Sequence, residues 1–334
     1  MKRILTLTLL VLGLGWGPLS GEEKESRETR VRAAVEKSLP LLLKAAQGHV
    51  EQKSCFACHN QALPMLAWSR MKAAGLAPPE KEIKKQSDFI LEFLGKNRER
   101  FQSGQGTGGQ ADTAGYAMLT LELAGVKPNE TTSAVVEYFL KHQAGEPHWK
   151  ATSNRPPSEA SNFTTNYLAL RAIRVWGAAR QKERIEKRKN QVKQWLENTP
   201  GKETEDLAFR LLGLKECQAG DNILESAGKK ILEKQQASGG WAQKDGMEVD
   251  PYATATALAA LHLSGTLKSE DKRFIQGVEF LLQEQKADGS WMVKSRSKPF
   301  QAYYESGFPH GKDQFISVAA SGWGTTVLLL ALAK

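Results

Sequence analysis

The chain has 334 residues, of which 40% are hydrophobic and 25% are charged, and it contains three cysteines. These values exclude a disordered chain, a collagen-like repeat and a small disulfide-rich scaffold, and the length allows a well-buried core. The net charge of +9 is spread along the chain, so we expect no nucleic-acid partner. Residues 4–15 form the one long apolar run that we identify. That run is too short for a membrane span, which excludes a polytopic membrane protein.

The N-terminus has the layout of a secretory signal peptide, which we assign to residues 1–20. Lys2 and Arg3 precede the apolar run, small and helix-breaking residues follow it at 17–21, and a charged segment begins at Glu22. A buried N-terminal helix is the alternative interpretation. Because no cysteine follows the apolar run, we expect no lipid anchor, and cleavage would leave no transmembrane anchor. The mature protein is therefore predicted to be periplasmic or secreted, where disulfides and covalent haem are chemically allowed.

A five-residue motif, Cys55-Phe-Ala-Cys58-His59, follows the first predicted helix. In exported bacterial proteins, Cys-x-x-Cys-His is the attachment signature of c-type haem. The thiols of Cys55 and Cys58 would add to the two vinyl groups, and the His59 imidazole would be the proximal iron ligand. We expect the spacing to place both thioethers on one helical turn. Two alternatives stay open: a Cys55–Cys58 disulfide, and half of a site for zinc or another metal.

The rest of the chain repeats a pair of helix patterns, and no stretch of it is typical of a strand. Alanine-rich apolar stretches end at glycines, which commonly terminate helices, and an amphipathic stretch precedes each of them. We predict six inner helices, which end at Gly75, Gly125, Gly177, Gly213, Gly265 and, for Thr325–Ala333, near the end of the chain. We predict six outer helices, at Val31–Ala46, Ile83–Leu94, Ser133–His142, Asn190–Leu196, Asn222–Lys234 and Arg273–Glu284.

Two connections share a turn signature of Gln, three residues, Gly, one residue and Trp, at Gln235–Trp241 and Gln285–Trp291. A third copy, Gln143–Trp149, has Pro147 in place of the glycine. The signature resembles the QW repeats of squalene–hopene cyclases, which belong to the terpenoid cyclase and protein prenyltransferase superfamily. The resemblance covers residues 31–334. It implies an all-α fold: a single α/α toroid domain of about six outer–inner helix pairs, which carries the Cys-x-x-Cys-His motif.

The catalytic motifs of that superfamily are only partly present. Class II terpene cyclases protonate their substrates with Asp-x-Asp-Asp, and the segment here that is most similar is Glu248-Val249-Asp250-Pro251. Asp250 also fits the cap of a helix that has Pro251 in its first turn. The zinc site of protein prenyltransferases needs a cysteine. The one downstream cysteine, Cys217, lacks the matching Asp and His pattern, so we expect a buried thiol there.

In a closed ring the first and sixth helix pairs are neighbours, and all outer-to-inner connections emerge at one end. His59 and His310 would then share that mouth, so His310 is our candidate for the second iron ligand. Met65 and Met71 are weaker candidates for that ligand. Long polar loops are often functional, and the connection that contains His310 is the longest. The candidate catalytic groups at the same mouth are Asp112, Asp250, Tyr252 and Asp313.

These features predict an exported toroid protein that binds haem c and serves in electron transfer or redox sensing, with a periplasmic redox partner. One alternative is an enzyme that resembles the terpenoid cyclases and acts on a small-molecule ligand in the central cavity. Another is a non-catalytic binding scaffold in which Cys55 and Cys58 form a disulfide. The sequence leaves open whether the protein is an enzyme.

Overall fold

Outer and inner helices alternate along the chain in a computed structural model that describes residues 26–298 and 302–333. The assigned signal peptide, residues 1–20, lies outside the described residues. In chain order the helices are α1 (Arg27–Gln52), α2 (Leu63–Trp68), α3 (Glu80–Lys96), α4 (Arg98–Gln102), α5 (Gln110–Leu123), α6 (Glu130–Lys141), α7 (Asn162–Trp176), α8 (Lys182–Asn198), α9 (Thr204–Glu216), α10 (Asp221–Leu232), α11 (Pro251–Ser264), α12 (Lys272–Glu284) and α13 (Gln314–Leu332). The inner helices are α2, α5, α7, α9, α11 and α13. The outer helices are α1, α3, α6, α8, α10 and α12.

The inner helices form a closed ring. Each inner helix packs on the next one along the chain, and α13 packs against α11 on one side and against α1 and α2 on the other. Contacts between the two ends of the chain complete the ring. Arg30 of α1 forms an ion pair with Glu279 of α12 at 2.8 Å, and the Gln285 side chain donates to the carbonyl of Ala34 at 2.8 Å. The predicted all-α toroid of six helix pairs is confirmed for the part of the chain that the structure describes.

The tryptophans of the repeated turn fasten each connection to the outer helix before it. Nε1 of Trp241 and of Trp291 donates to the backbone carbonyl ten residues earlier, at 2.7 Å in both turns. Trp149 makes the same bond at 3.0 Å although its turn lacks the glycine. All three indoles are fully buried. A buried indole satisfies its N–H and fills the space between neighbouring helices, which explains why the residue recurs at this point of the repeat.

Helix α11 begins and ends as the sequence predicts. Oδ1 of Asp250 accepts from the backbone N–H groups of Tyr252 and Ala253, at 2.9 and 3.0 Å, which caps the helix start. Gly265 ends the helix with a left-handed backbone, at φ 85°. Between these ends nearly every side chain is small and buried, because neighbouring helices approach α11 on all sides.

The inner helices differ from the predicted ones in places: the sixth, predicted at Thr325–Ala333, begins at Gln314. Gly213 does not end a helix: it lies inside α9, and an added Cβ there would be 3.0 Å from the side chain of Leu196, so the glycine allows α8 to approach. Residues 4–15 are also not the one long apolar run. By length and composition the segment Gly311–Leu332 could cross a membrane, but 83% of the apolar 18-residue stretch within it is buried, and its packing inside the ring accounts for its apolar character.

Candidate functional site

Two adjoining cavities open at the end of the ring where the outer-to-inner connections lie. The motif cavity has a volume of ≈ 360 Å³, and Cys55, Cys58 and His59 all contribute to its lining. The loop cavity has a volume of ≈ 500 Å³ and is lined mainly by the connection before α13 and the start of that helix. His59, Arg155 and Tyr304 line both cavities. Cavities of this size hold ordinary small-molecule ligands.

The Cys-x-x-Cys-His segment connects α1 to α2 and is not a single helical turn. Ala57 has an extended backbone (φ −128°, ψ 119°), and a π-helical turn begins at Cys58. The prediction that both thioethers lie on one helical turn is therefore wrong. Buried amides hold the segment in place: Asn60 donates to the carbonyl of Ala45 at 3.0 Å, and Gln61 accepts from the Ala57 N–H at 2.9 Å.

The side chains of the motif differ in exposure but share one cavity. Cys55 is exposed, Cys58 is partly buried, and both thiols are free in the structure. His59 is buried, and its ring meets the edge of Phe315 with the centroids 5.6 Å apart. Burial lowers the pKa of His59 to about 3, and the positive charges of His49 and Arg155 add to the effect. The imidazole is therefore neutral at physiological pH, which is the form that binds a metal.

A carboxylate that sequence reasoning missed lies against this motif. Glu159, in the connection between α6 and α7, accepts a hydrogen bond from the thiol of Cys58 and forms an ion pair with Arg155. Backbone bonds of 3.0 Å in both directions join Arg155 and Glu159, so the loop presents both side chains together. Burial is the main cause that raises the pKa of Glu159 and the pKa of the Cys58 thiol.

These contacts create a donor set for a metal. A sulfur of Cys58, a ring nitrogen of His59 and an oxygen of Glu159 all lie within 4.8 Å of one another. The sequence carries no local signal for this set, because 101 residues separate Cys58 from Glu159.

The positions of the motif residues also bear on the attachment of a haem. Covalent attachment needs both thiols and the imidazole on the wall of one cavity, and all three line the motif cavity. The iron ligand must be a neutral imidazole, which burial ensures at His59. Lys298 and Lys312 line the adjoining loop cavity and could neutralise haem propionates. The donor chemistry of Cys55, Cys58 and His59 is therefore of the kind that c-type haem requires.

His310 does not line a cavity together with His59. Nε2 of His310 lies 2.7 Å from Oγ of Ser290, and His310 lines neither cavity. The reason is the path of the loop: Phe308 packs in a small buried cluster with Ala45 and Val318, so the next residues turn toward the Trp291 turn. The weaker ligand candidates Met65 and Met71 are buried in the core.

The four candidate catalytic groups have different roles. Oδ1 of Asp250 is occupied as a helix cap, and the hydroxyl of Tyr252 donates to Glu205 at 3.0 Å. Asp313 lines the loop cavity and accepts from the backbone of Ser295 at 2.8 Å. Asp112 alone among the four lines the motif cavity. The thiol of Cys217 is buried, as expected.

One carboxylate oxygen of Asp112 has no hydrogen-bond partner. Oδ1 accepts from the hydroxyl of Thr165, whereas Oδ2 is buried without a hydrogen-bond partner. Burial raises the pKa of Asp112 to about 6. A buried unpaired oxygen is costly, and at a cavity wall it is satisfied when a ligand supplies a donor.

Glu205 is a second buried acid that the sequence did not reveal, because the segment around it is typical of a solvated charged turn. It lies in the first turn of α9 and accepts from the hydroxyls of Thr164 (2.7 Å) and Tyr252 (3.0 Å). Burial raises the pKa of Glu205 to about 8, and the nearby charges of Asp206 and Glu203 add to the rise. The acid therefore keeps its proton in the folded protein at neutral pH.

No family model and no curated protein matches the sequence. Several solved structures are similar in fold. The type II terpene cyclase MstE from Scytonema is similar with a TM-score of 0.57 and 14% identity, over 92% of this chain and 99% of that chain. A protein from Actinoplanes is similar with a TM-score of 0.56 and 14% identity, over 90% and 99% of the two chains.

A further match is the ent-copalyl diphosphate synthase from Streptomyces platensis, with a TM-score of 0.50 and 17% identity, over 80% of this chain and 50% of that chain. Structures of MstE also include complexes with geranylgeranyl dihydroxybenzoate, its substrate, and merosterolic acid A, its product. Identities this low are evidence of fold alone. The chain has an α/α toroid fold like that of the terpene cyclases.

Proposed function

We propose that this protein is an exported toroid that binds one c-type haem through Cys55, Cys58 and His59 and works as a redox protein. The observation that carries the proposal is that all three motif residues line one cavity at the mouth of the closed ring. The export signal at residues 1–20 would deliver the chain to the compartment in which such haems are attached. An exported electron-transfer partner would meet the protein at this mouth.

The residues around the motif have separate tasks in this proposal. Cys55 and Cys58 hold the group covalently, and the neutral ring of His59 ligates the iron. Phe56 and Phe315 line the two cavities and restrict water around the group. The bound haem would supply a reversible one-electron couple.

The proposal is tested by expressing the full chain in a host that exports and loads c-type cytochromes, and by measuring the pyridine haemochrome spectrum of the purified protein. We expect about one covalent haem per chain, because both cysteines line one cavity. The double variant Cys55→Ser/Cys58→Ser should lose all covalent haem. Cys217→Ala is the matched control and should retain it, since Cys217 lies on another helix pair. Absence of haem from the parent chain, in a host that loads a reference cytochrome, would refute the proposal.

A second candidate function is catalysis on a cavity ligand, and the unpaired oxygen of Asp112 favours it. In this alternative Asp112, whose pKa is raised to about 6 by burial, acts as a general acid toward an apolar substrate. Geranylgeranyl dihydroxybenzoate, the substrate of MstE, is a suitable probe. We expect a cyclised product from the parent chain and a loss of at least about 100-fold in Asp112→Asn. Asp245→Asn, which changes an exposed acid, is the control. Equal turnover by all three proteins would remove Asp112 from the mechanism.

A further inference from the structure

Three side chains from two connections of the ring lie close enough together to bind one metal ion. Sγ of Cys58, a ring nitrogen of His59 and a carboxylate oxygen of Glu159 are all within 4.8 Å of one another. Cys58 and His59 precede α2, whereas Glu159 lies in the connection between α6 and α7. Within residues 26–298 and 302–333, this is the one group of three or more Cys, His, Asp or Glu side chains whose ligand atoms lie so close together.

Hydrogen bonds hold both connections in place. The buried amide of Gln61 donates to Oε1 of Gln86 at 2.8 Å, and Gln86 donates in turn to the carbonyl of Ala46 at 3.1 Å. In the other connection, Arg155 and Glu159 exchange backbone hydrogen bonds of 3.0 Å. Ligands that are already positioned lose little conformational entropy when an ion binds, so this arrangement favours binding.

The two carboxylate oxygens of Glu159 have different partners. Oε1 accepts a hydrogen bond from the thiol of Cys58, and Oε2 forms the ion pair with Arg155. Arg155 therefore orients the carboxylate, as groups around metal ligands commonly do, and leaves Oε1 facing the sulfur. A metal ion at this place would replace the thiol proton, which leaves to solvent. The thiolate and the carboxylate would together supply the two negative charges that a dication needs.

The chemistry of the donors selects among metals. Mg²⁺ and Ca²⁺ take oxygen ligands, whereas thiolate sulfur, imidazole nitrogen and carboxylate oxygen all bind Zn²⁺. Cys58, His59 and Glu159 line the motif cavity, from which solvent can complete the coordination of an ion that has three protein ligands. Cys55 is exposed and is not part of the donor set, so the site contains one thiol and not a Cys-x-x-Cys pair.

We infer that the chain without haem binds one Zn²⁺ ion through Cys58, His59 and Glu159. The inference goes beyond the proposed haem function and does not depend on it. Because Cys58 and His59 belong to both sites, the ion must leave before a haem is attached, and the zinc form precedes the haem form. In the zinc form, the ion joins two connections that are 101 residues apart and stabilises the mouth of the ring.

The test uses the full chain from a host that does not attach c-type haem, purified under reducing and metal-free conditions. The protein is titrated anaerobically with Co²⁺, a spectroscopic substitute for Zn²⁺. We expect saturation at one Co²⁺ per chain with a thiolate-to-cobalt charge-transfer band, and loss of that band when Zn²⁺ displaces the Co²⁺. Zn²⁺ should also raise the Tm of the parent, because a ligand of the folded state stabilises it.

Four variants assign the donors, and circular dichroism checks that each is folded. Cys58→Ser should abolish the charge-transfer band, whereas Cys55→Ser should retain it, because the donor set contains one thiol. Glu159→Gln should weaken Co²⁺ binding by more than about 100-fold, since loss of a group that only orients a ligand costs about 10–100-fold. Arg155→Gln is the matched control: it breaks the same ion pair but keeps all three donors, so its loss should be smaller.

X-ray absorption of the zinc-loaded parent needs no variant. It should show one sulfur at about 2.3 Å together with nitrogen and oxygen ligands at about 2.0–2.2 Å. A sulfur count of none or two, or a parent without the charge-transfer band, would overturn the inference. Equal losses of affinity in Glu159→Gln and Arg155→Gln would also overturn it, because Glu159 would then act only through its ion pair. The haemochrome measurement judges the haem proposal separately, so either proposal can fail while the other stands.

Discussion

Gly289→Ala is expected to destabilise the folded protein much more than Gly265→Ala, although both glycines have the same backbone conformation. Their φ values are 91° and 85°, so an alanine is strained at either position. At Gly289 the added Cβ would also lie 2.3 Å from the carbonyl oxygen of Lys37 on α1, whereas at Gly265 nothing lies within 4 Å. The strain costs about 1–2 kcal/mol, and overpacking adds about 1–3 kcal/mol at Gly289 alone.

The measurement is urea unfolding of the parent and the two variants, followed by circular dichroism. Lys37 belongs to the first outer helix and Gly289 to the last repeated turn, so the difference reports the closure of the ring. Gly239→Ala extends the comparison, because Gly239 occupies the equivalent position in the preceding repeated turn. An added Cβ there would be 2.4 Å from the carbonyl oxygen of Gln276 on α12. We expect Gly239→Ala to resemble Gly289→Ala. Equal costs at Gly289 and Gly265 would show that the two ends of the ring do not pack as described.

Glu205→Gln is expected to remove a large pH dependence of stability. In the folded protein burial raises the pKa of Glu205 to about 8, from an ordinary value of 4.5. Between these pH values the unfolded chain has lost the proton that the folded chain keeps. The stabilisation is therefore complete below pH 4.5 and is lost as the pH rises toward about 8. Across this pH range the free energy of unfolding should fall by about 4 kcal/mol, because a tenfold change in proton concentration corresponds to about 1.4 kcal/mol.

The measurement is the free energy of unfolding from urea titrations at pH 5, 6.5 and 8. A glutamine can accept from the hydroxyl of Thr164 or Tyr252 but does not titrate, so Glu205→Gln should gain stability relative to the parent as the pH rises. Glu225→Gln, which changes an exposed acid on α10, is the control and should follow the parent curve. Parallel curves for Glu205→Gln and the parent would mean that Glu205 is ionised in the folded protein.

Much of the architecture could be predicted because its signals are local. An outer helix is visible as an apolar face with helical spacing, and an inner helix as a run of small residues such as those from Tyr252 to Ser264. The repeated turn is equally recognisable, since its glutamine, glycine and tryptophan lie within seven residues and bond to nearby backbone. The errors arose where the role of a residue depends on a contact with another helix. Gly213 allows the side chain of Leu196 to pack against α9 and does not end its helix.

Local patterns in the chain were enough to define the helix pairs, the repeated turns and the motif of Cys55, Cys58 and His59. Folding was needed to show that Glu159 reaches this motif, that Asp112 shares its cavity and that His310 contacts Ser290. The physical reason is the range of the interactions. Helix and turn formation depend on residues a few positions apart, whereas the chemistry of the mouth depends on loops from different helix pairs that meet only when the ring closes.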